Sequence, residues 1–203
     1  MKIAVLGSDV SWNELIQCNN NLDWIRANSM QGLYNEKDAD AFFLLHEDVT
    51  FPLTSLTSKP VFINSVADTL REINAGKNVI RINGWPGFLA KELWEVSGKL
   101  NEAAVKIVNE TGKKYITVPD EPGFISARII AMIINEAYYA IGENVSDEKA
   151  INIAMKLGAN YPYGPFEWAN IIGVKNIYKL LIKLSVQDKR YAAAPGLAKI
   201  INS

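Results

Sequence analysis

The sequence predicts two domains of different class, an α/β sheet domain followed by an all-helical domain. Seven short apolar runs, from KIAVLG at residues 2–7 to KKYITV at 113–118, alternate with helical or loop-like segments, the pattern of an α/β layer. At residues 118–124 (VPDEPGF) prolines and a glycine interrupt the chain, and every later segment has a helical pattern. We therefore place the sheet domain at residues 1–118 and the helical domain at residues 119–203.

Apolar spacing, together with proline and glycine residues at helix ends, predicts several helices. Apolar positions at helical spacing between residues 100 and 108 predict a crossover helix that ends at Gly112. The segment 124–141 is apolar on nearly every side, which indicates a helix surrounded by protein. Pro165 and Gly173 stand where a helix begins and ends. About five helices are expected in the helical domain.

Composition narrows the class of protein. The 203 residues carry a formal net charge of -1, which favours no electrostatic partner such as nucleic acid. The apolar stretches are too short to cross a membrane, and the N-terminal run is too short for a signal peptide. Cys18 is the one cysteine, which suits a reducing compartment. We expect a cytoplasmic protein with neither a nucleic-acid nor a membrane partner.

Two motifs in the helical domain carry a family resemblance. The stretch DEPGFISARII, residues 120–130, is followed by AMKLGANYPYGPFEWANIIG, residues 154–173. Together they resemble the C-terminal domain of the 3-hydroxyacyl-CoA dehydrogenases, and YAAAPGLAKIINS resembles the family's last helix. The resemblance implies a Rossmann-like NAD-binding sheet domain, here shortened, a helical domain that forms a homodimer, and CoA esters of fatty-acid metabolism as ligands.

The first turn departs from the dinucleotide pattern. A dinucleotide-binding loop uses glycines for a sharp turn and for close approach to the pyrophosphate. Here Gly7 remains, but Asp9 and Trp12 stand at the other two positions. A carboxylate about 4 Å from the pyrophosphate is repelled by roughly 4 kcal/mol at moderate dielectric. We therefore expect no cofactor, with NAD as the alternative.

The family's catalytic pair is only half preserved. The resemblance implies a histidine that moves the hydroxyl proton and a glutamate twelve residues later that orients it. Glu95 matches the glutamate, whereas Asn83 stands in place of the histidine. Asparagine cannot accept and return a proton near neutral pH. The partner of Glu95 is then Asn83, an arginine such as Arg128, or water; alternatively Glu95 faces solvent on an edge strand.

Three further positions complete the candidate site. The family's substrate-contacting serine falls near Val66, beside Ser65, and its asparagine falls at Ala127, next to Arg128. His46 is the one histidine and follows an apolar run, so it is a substitute base or a solvated loop residue. The residues around it suggest no metal site.

These departures lead to two main hypotheses. The first is a 3-hydroxyacyl-CoA dehydrogenase-like pseudoenzyme that has lost NAD-linked redox chemistry and serves in acyl-CoA binding or dimeric assembly. The second is an active NAD-dependent oxidoreductase of the same lineage, with a rearranged site and a different base. A purely structural interaction protein is the third, and the sequence leaves open whether the chain is an enzyme.

Overall fold

The computed structural model describes residues 1–19, 21–46 and 58–202. The described residues form two compact units, Met1–Phe124 and Ile125–Ser203. The first is an α/β unit built on a seven-stranded sheet, and the second contains only helices. The predicted fold class, an α/β domain followed by a helical domain, is confirmed.

The described residues of the sheet unit form seven strands and three helices. The strands are β1 (Lys2–Leu6), β2 (Asp23–Arg26), β3 (Ala41–Leu44), β4 (Val61–Asn64), β5 (Val79–Ile82), β6 (Leu93–Ser97) and β7 (Lys114–Thr117). The helices are α1 (Asp9–Ile16), α2 (Met30–Asn35) and α3 (Glu102–Glu110). Strands β1, β3, β4 and β5 are almost wholly buried, which explains why they read as short continuous apolar runs.

The strand order is β2-β1-β3-β4-β5-β6-β7. All neighbours from β2 to β5 pair in parallel, so their carboxyl ends lie at one edge of the sheet. Strands β2 and β3 lie on opposite sides of β1, so the chain crosses over β1 between them. Sheets of this kind bind ligands at the carboxyl ends of the strands where the order reverses, here between β1 and β3.

The pair β5 and β6 is antiparallel, with Arg81 opposite Ser97 and Ile82 opposite Val96. Only ten residues separate the two strands, fewer than a parallel crossover normally needs. Strand β6 also pairs with β7, so it is an inner strand. Strand β6 is therefore not the edge strand that the solvent-facing alternative for Glu95 assumed.

Buried apolar side chains cover both faces of the sheet. One cluster includes Phe43, Phe62 and Trp94, and the rings of Phe43 and Phe62 stack with centroids 4.6 Å apart. The other includes Phe42 and Leu44. Neighbouring residues such as Phe42 and Phe43 belong to different clusters, because successive side chains of a strand point to opposite faces of the sheet.

The sheet unit extends through Phe124, beyond the predicted boundary at residue 118. Asp120 accepts a hydrogen bond from the buried Arg81, with Nη1 and Oδ1 2.7 Å apart, and the Gly123 N–H donates to the Val66 carbonyl oxygen. The Phe124 ring lies under the Arg81 guanidinium at 4.7 Å. These contacts attach residues 120–124 to the sheet, so the compact units change at Phe124 and Ile125 rather than at the first proline.

In the part of the helical unit that the structure describes there are five α-helices: α4 (Ser126–Gly142), α5 (Glu148–Ile153), α6 (Pro165–Ile172), α7 (Val174–Ser185) and α8 (Pro195–Asn202). A π-helical turn, Ala154–Gly158, continues α5, and a 3-10 turn, Lys189–Tyr191, precedes α8. Pro165 and Gly173 begin and end α6 as predicted. No helix in the described ranges has the length and hydropathy that a bilayer crossing requires.

The second family-like motif, residues 154–173, has two charged residues, and they pair with each other. Lys156 of AMKLG donates from Nζ to Oε1 of Glu167 in GPFE, and the other Glu167 oxygen accepts the Gly164 N–H at 2.9 Å. A Cβ on Gly164 would lie within 2.5 Å of the Asn152 side chain, so only glycine fits there. In this unit the motif fixes the start of α6 against the turn after α5.

The Lys156–Glu167 pair predicts acid sensitivity of the helical unit. The Lys156 hydrogen bond, aided by the Gly164 N–H, lowers the pKa of Glu167 below its usual range. A lowered carboxyl pKa contributes stability that is complete above the ordinary value of about 4.3 and is lost as pH falls through the folded-state value. We expect Glu167→Gln to lower the melting temperature at pH 7 and to flatten its decline below about pH 4, measured by circular dichroism. Glu143→Gln, at an exposed carboxylate after α4, is the control and should change neither.

Candidate functional site

The candidate residues of the sheet unit lie along the carboxyl edge of the sheet. Gly7 follows β1, His46 lies two residues after β3, Ser65 follows β4, and Asn83 follows β5. Glu95, on the antiparallel β6, lies beside Asn83 at the same edge. The structure thus gathers five predicted residues that are distant in sequence at the edge where such sheets bind ligands.

The turn from β1 to α1 passes close to the end of β3. A Cβ built on Gly7 would lie 3.0 Å from the Leu45 Cβ, so a larger residue would displace the turn. Ser8 caps α1 by accepting the Ser11 N–H. Ser11, which is buried, faces the turn, and Trp12 is only half-buried at the edge of the core. Trp12 packs against the core cluster that includes Ile3 and Val5 of β1, so it takes part in the helix–strand contact that the third glycine of a dinucleotide loop would serve.

Asp9 is paired rather than free at this turn. Its carboxylate accepts a hydrogen bond from Arg26 at the carboxyl end of β2, and the Arg26 guanidinium lies over the Trp12 ring at 5.6 Å. The positive charge of Arg26 offsets the negative charge that was expected to repel a pyrophosphate. The closely packed Gly7 and this neutralised carboxylate fit a dinucleotide at the turn.

Asn83 and Glu95 face each other across β5 and β6. The Asn83 N–H donates to the Glu95 carbonyl oxygen at 3.4 Å, which extends the antiparallel ladder by one pair. Asn83 is buried, and its Oδ1 lies 3.4 Å from the Trp85 backbone nitrogen, which donates to it. Glu95 is half-buried. The spacing of twelve residues therefore places the two family positions opposite each other, as the resemblance implies.

Asn64 is a site residue that the sequence reasoning missed. Its side-chain oxygen accepts the Gly84 N–H at 3.1 Å, and its side-chain nitrogen donates to the Leu45 carbonyl oxygen at 3.4 Å. A Cβ on Gly84 would lie 2.8 Å from the Asn64 Cβ, so glycine is required beside Asn83. The buried amide thus joins the ends of β3, β4 and β5. Asn64 could have been found from the sequence, because it is a polar residue at the end of the apolar run VFIN.

Ser65 is held within the loop after β4. It is buried, and its hydroxyl donates to the Asp68 carbonyl oxygen at 2.9 Å. Its own carbonyl oxygen accepts from Nε of Arg81 at 2.8 Å. The hydroxyl proton is therefore used inside the loop, and the oxygen lone pairs are what Ser65 can offer to a ligand.

Arg81 is the second residue that the sequence reasoning missed. Its side chain is fully buried, and it donates to the carbonyl oxygens of Ser65, Val66 and Glu121 as well as to Asp120. Burial lowers the pKa of the Arg81 guanidinium, and the Asp120 carboxylate opposes that shift. Arg81 therefore fixes the loop after β4 and the segment that ends the sheet unit.

His46 is exposed at the carboxyl edge. It directly follows Leu45, the residue against which Gly7 packs. Glu47 and Asp48, the acidic neighbours weighed in the metal hypothesis, lie outside the described residues. Within the described ranges, no group of three potential metal-ligating side chains comes together.

Arg128 lies on α4 in the helical unit, where it lines a groove of about 630 Å³. The groove is mainly apolar, and Glu136 and Arg190 stand with Arg128 as its charged residues. Its other lining residues are Ile129, Met132, Ile133, Ala137, Ala140, Ile151, Met155, Pro165 and Tyr191. The groove has the size and lining of a site for an apolar group.

Comparisons with known proteins agree with the class that fold and motifs define, a Rossmann-like α/β unit followed by a helical domain. The family described as "3-hydroxyacyl-CoA dehydrogenase, C-terminal domain" matches residues 123–203. The 3-hydroxyadipyl-CoA dehydrogenase of Escherichia coli is 42% identical over 81 residues, 40% of this chain and 17% of that protein. The 3-hydroxybutyryl-CoA dehydrogenase of Bradyrhizobium diazoefficiens is 38% identical over 104 residues, 50% of this chain and 36% of that protein.

Residues 123–203 thus match the 3-hydroxyacyl-CoA dehydrogenase C-terminal domain family, and the predicted resemblance to these dehydrogenases is confirmed. Each of these two matches spans well under half the length of the curated relative. The crystal structure of an (S)-3-hydroxybutyryl-CoA dehydrogenase from Ralstonia eutropha has the same fold, with a TM-score of 0.74 at 16% identity. That likeness covers 99% of this chain and 93% of the other, so it includes the sheet unit.

The expectation that the chain needs no cofactor is wrong. The relatives are dehydrogenases by name, and dehydrogenases transfer hydride with a redox cofactor such as NAD. The reason offered for that expectation also fails in part, because Arg26 neutralises Asp9. NAD, which the resemblance implies, is the starting point for any test of cofactor binding.

Proposed function

We propose that this chain binds a short 3-hydroxyacyl- or 3-oxoacyl-CoA ester, and that Asn83 holds the ester's 3-oxygen by a hydrogen bond without moving its proton. The observation that carries the proposal is the buried Asn83 opposite Glu95. An amide can donate to and accept from the 3-oxygen, but it cannot serve as a general base. A nicotinamide cofactor, when bound, would supply the hydride donor or acceptor.

The remaining sheet-edge residues support the same proposal. Gly84 and Asn64 hold the backbone beside Asn83, and Arg81 holds the loop that carries Ser65. A polar group fixed by buried neighbours is preorganised, so little ordering cost is added when a ligand binds. Glu95 is expected to orient the Asn83 amide, which is the role that the resemblance gives it toward the family histidine.

The titration of the purified full chain with acetoacetyl-CoA tests the proposal. We expect saturable heat in isothermal calorimetry and a dissociation constant about tenfold larger for Asn83→Ala, since a lost hydrogen bond costs about 1 to 1.5 kcal/mol. Asn109→Ala, at an exposed asparagine on α3, is the matched control and should bind as the wild type does. Equal affinity of all three proteins would contradict the role of Asn83, and absence of binding would contradict ester binding itself.

The helical unit is proposed to form a homodimer in the cytoplasm. Its groove along α4 is apolar, and Ile129 and Leu157 expose 53% and 83% of their surfaces. Exposed apolar area of this kind is typical of an interaction surface. Sedimentation of the full chain should give twice the monomer mass of 22.5 kDa.

A second candidate function is an active oxidoreductase with His46 as the base. The observation that favours it is the place of His46, exposed at the carboxyl edge directly after the residue that contacts Gly7. Imidazole is the side chain used most often to accept and return a proton in catalysis. His46→Ala should then abolish turnover, whereas the first proposal expects no effect on ester binding.

A further inference from the structure

We propose that Arg26 makes the first turn of the sheet unit selective for a 2′-phosphorylated dinucleotide, NADP(H), over NAD(H). This inference concerns the cofactor and does not depend on the proposed ester binding. It begins at the carboxyl end of β2. In dinucleotide-binding sheets a carboxylate near this point binds the ribose 2′-hydroxyl of NAD, whereas an arginine accommodates the 2′-phosphate of NADP.

The chain has the arginine and lacks the carboxylate. Residues 26–29 read Arg-Ala-Asn-Ser, so no acidic residue follows β2 at this position. Arg26 is the last residue of β2 and pairs with Val5 of β1, two residues before Gly7. Strand pairing thus places the guanidinium beside the turn that approaches the dinucleotide.

Two contacts hold the guanidinium at this turn. Its Nη2 donates to Asp9, the first residue of α1, and its plane lies over the half-buried Trp12 ring at 5.6 Å. The Asp9 bond uses one of five N–H donors, so the remaining donors can serve a phosphate. Arg26 keeps 36% of its side-chain surface exposed and Asp9 keeps 84%, so the pair is open to a ligand from solvent.

NAD gains no added contact from Arg26 at this turn. Without a 2′-phosphate the arginine gains nothing from leaving Asp9, whose charge it neutralises. A 2′-phosphate instead offers a doubly charged acceptor, and charge-assisted bonds from arginine to phosphate are among the strongest hydrogen bonds in proteins. Arg26 therefore favours NADP by a contact that NAD cannot make.

The test is a fluorescence titration of the full chain with NADPH and with NADH at one fixed salt concentration. We expect NADPH to bind at least about tenfold more tightly, because a hydrogen bond to a charged group supplies that factor or more. The adenine fragment 2′,5′-ADP should displace NADPH, and 5′-AMP should displace it far less effectively. Equal affinity for the two dinucleotides, or no binding of either, would overturn the proposal.

Substitutions at the turn test whether Arg26 causes the preference for NADPH. Arg26→Ala should remove the preference by weakening NADPH alone, and Arg26→Glu should reverse it toward NADH. Asp9→Asn should tighten NADPH severalfold, because it removes a negative charge and frees the guanidinium. Arg71→Ala, at an exposed arginine outside the turn, is the matched control and should keep the wild-type preference. If both Arg26 variants still preferred NADPH over NADH, the assigned role of Arg26 would be contradicted. Titration of the same variants with acetoacetyl-CoA measures ester binding separately, so the two proposals can fail independently.

Discussion

Replacing Asp120 with alanine should lower the free energy of unfolding of the sheet unit by about 3 kcal/mol, because the fully buried Arg81 loses the carboxylate that balances its charge. Arg81 is fully buried, and Asp120 is its one carboxylate hydrogen-bond partner among the contacts that the structure describes. The substitution leaves the guanidinium charge in the interior. It also removes the acceptor of the Leu70 and Arg71 backbone N–H groups.

Tryptophan fluorescence during urea unfolding can measure this loss. Four of the five tryptophans, Trp12, Trp24, Trp85 and Trp94, lie in the sheet unit, and only Trp168 lies in the helical unit. In a Trp168→Phe background the signal therefore reports the sheet unit alone. Glu92→Ala breaks the exposed Lys114–Glu92 pair, whose atoms lie 2.6 Å apart, and should leave the midpoint almost unchanged. An equally small effect of Asp120→Ala would show that Arg81 does not depend on its carboxylate.

Replacing Asn83 with histidine should raise the dehydrogenase rate on acetoacetyl-CoA by about 10²- to 10⁴-fold, the range that general acid–base catalysis contributes. The position already lies opposite Glu95, whose carbonyl oxygen accepts the Asn83 N–H. A histidine there would regain an orienting carboxylate from the neighbouring strand. Only a proton carrier is added, so the dissociation constant of the ester should change little.

Two further variants test the cause of that gain. Asn83→Gln offers an amide of the same chemistry and should give no gain in rate. Glu95→Gln in the Asn83→His background should lose most of the gain, because the imidazole would no longer be oriented. The pH profile of Asn83→His should show a new group that titrates near the ordinary histidine pKa of about 6.5. A gain of the same size in Asn83→Gln would contradict proton transfer as its cause.

Much of the fold could be predicted because local patterns and global architecture agree. The buried strands read as short apolar runs, and Gly112, Pro165 and Gly173 mark helix ends as their backbone preferences require. The antiparallel β5–β6 pair could not be predicted, because the turn dipeptides at residues 83–84 and 86–87 lie in a ten-residue connection, which is too long for a two-residue hairpin turn. Only the length of that connection excludes a parallel crossover.

The site was predictable where it depends on spacing along one strand pair. Asn83 and Glu95 stand opposite each other because the family positions fall on neighbouring strands. Arg81 was missed since a charged residue within VIRI suggests an exposed face, whereas its partners come from residues 65, 66, 120 and 121. Pairing over such distances depends on tertiary contacts that no local pattern contains. The neutralisation of Asp9 by Arg26 was missed for the same reason.

The most direct measurement of the central claim, that this chain holds a CoA ester but lacks its proton carrier, is the turnover of the wild-type full chain. Acetoacetyl-CoA, at a concentration shown by calorimetry to saturate the protein, is mixed with NADPH or NADH, and dinucleotide oxidation is followed by absorbance. We expect a rate at least about 100-fold below that of Asn83→His. Wild-type turnover in the usual enzyme range of roughly 1 to 10³ per second would contradict the claim, and loss of that rate in His46→Ala would assign the proton transfer to His46.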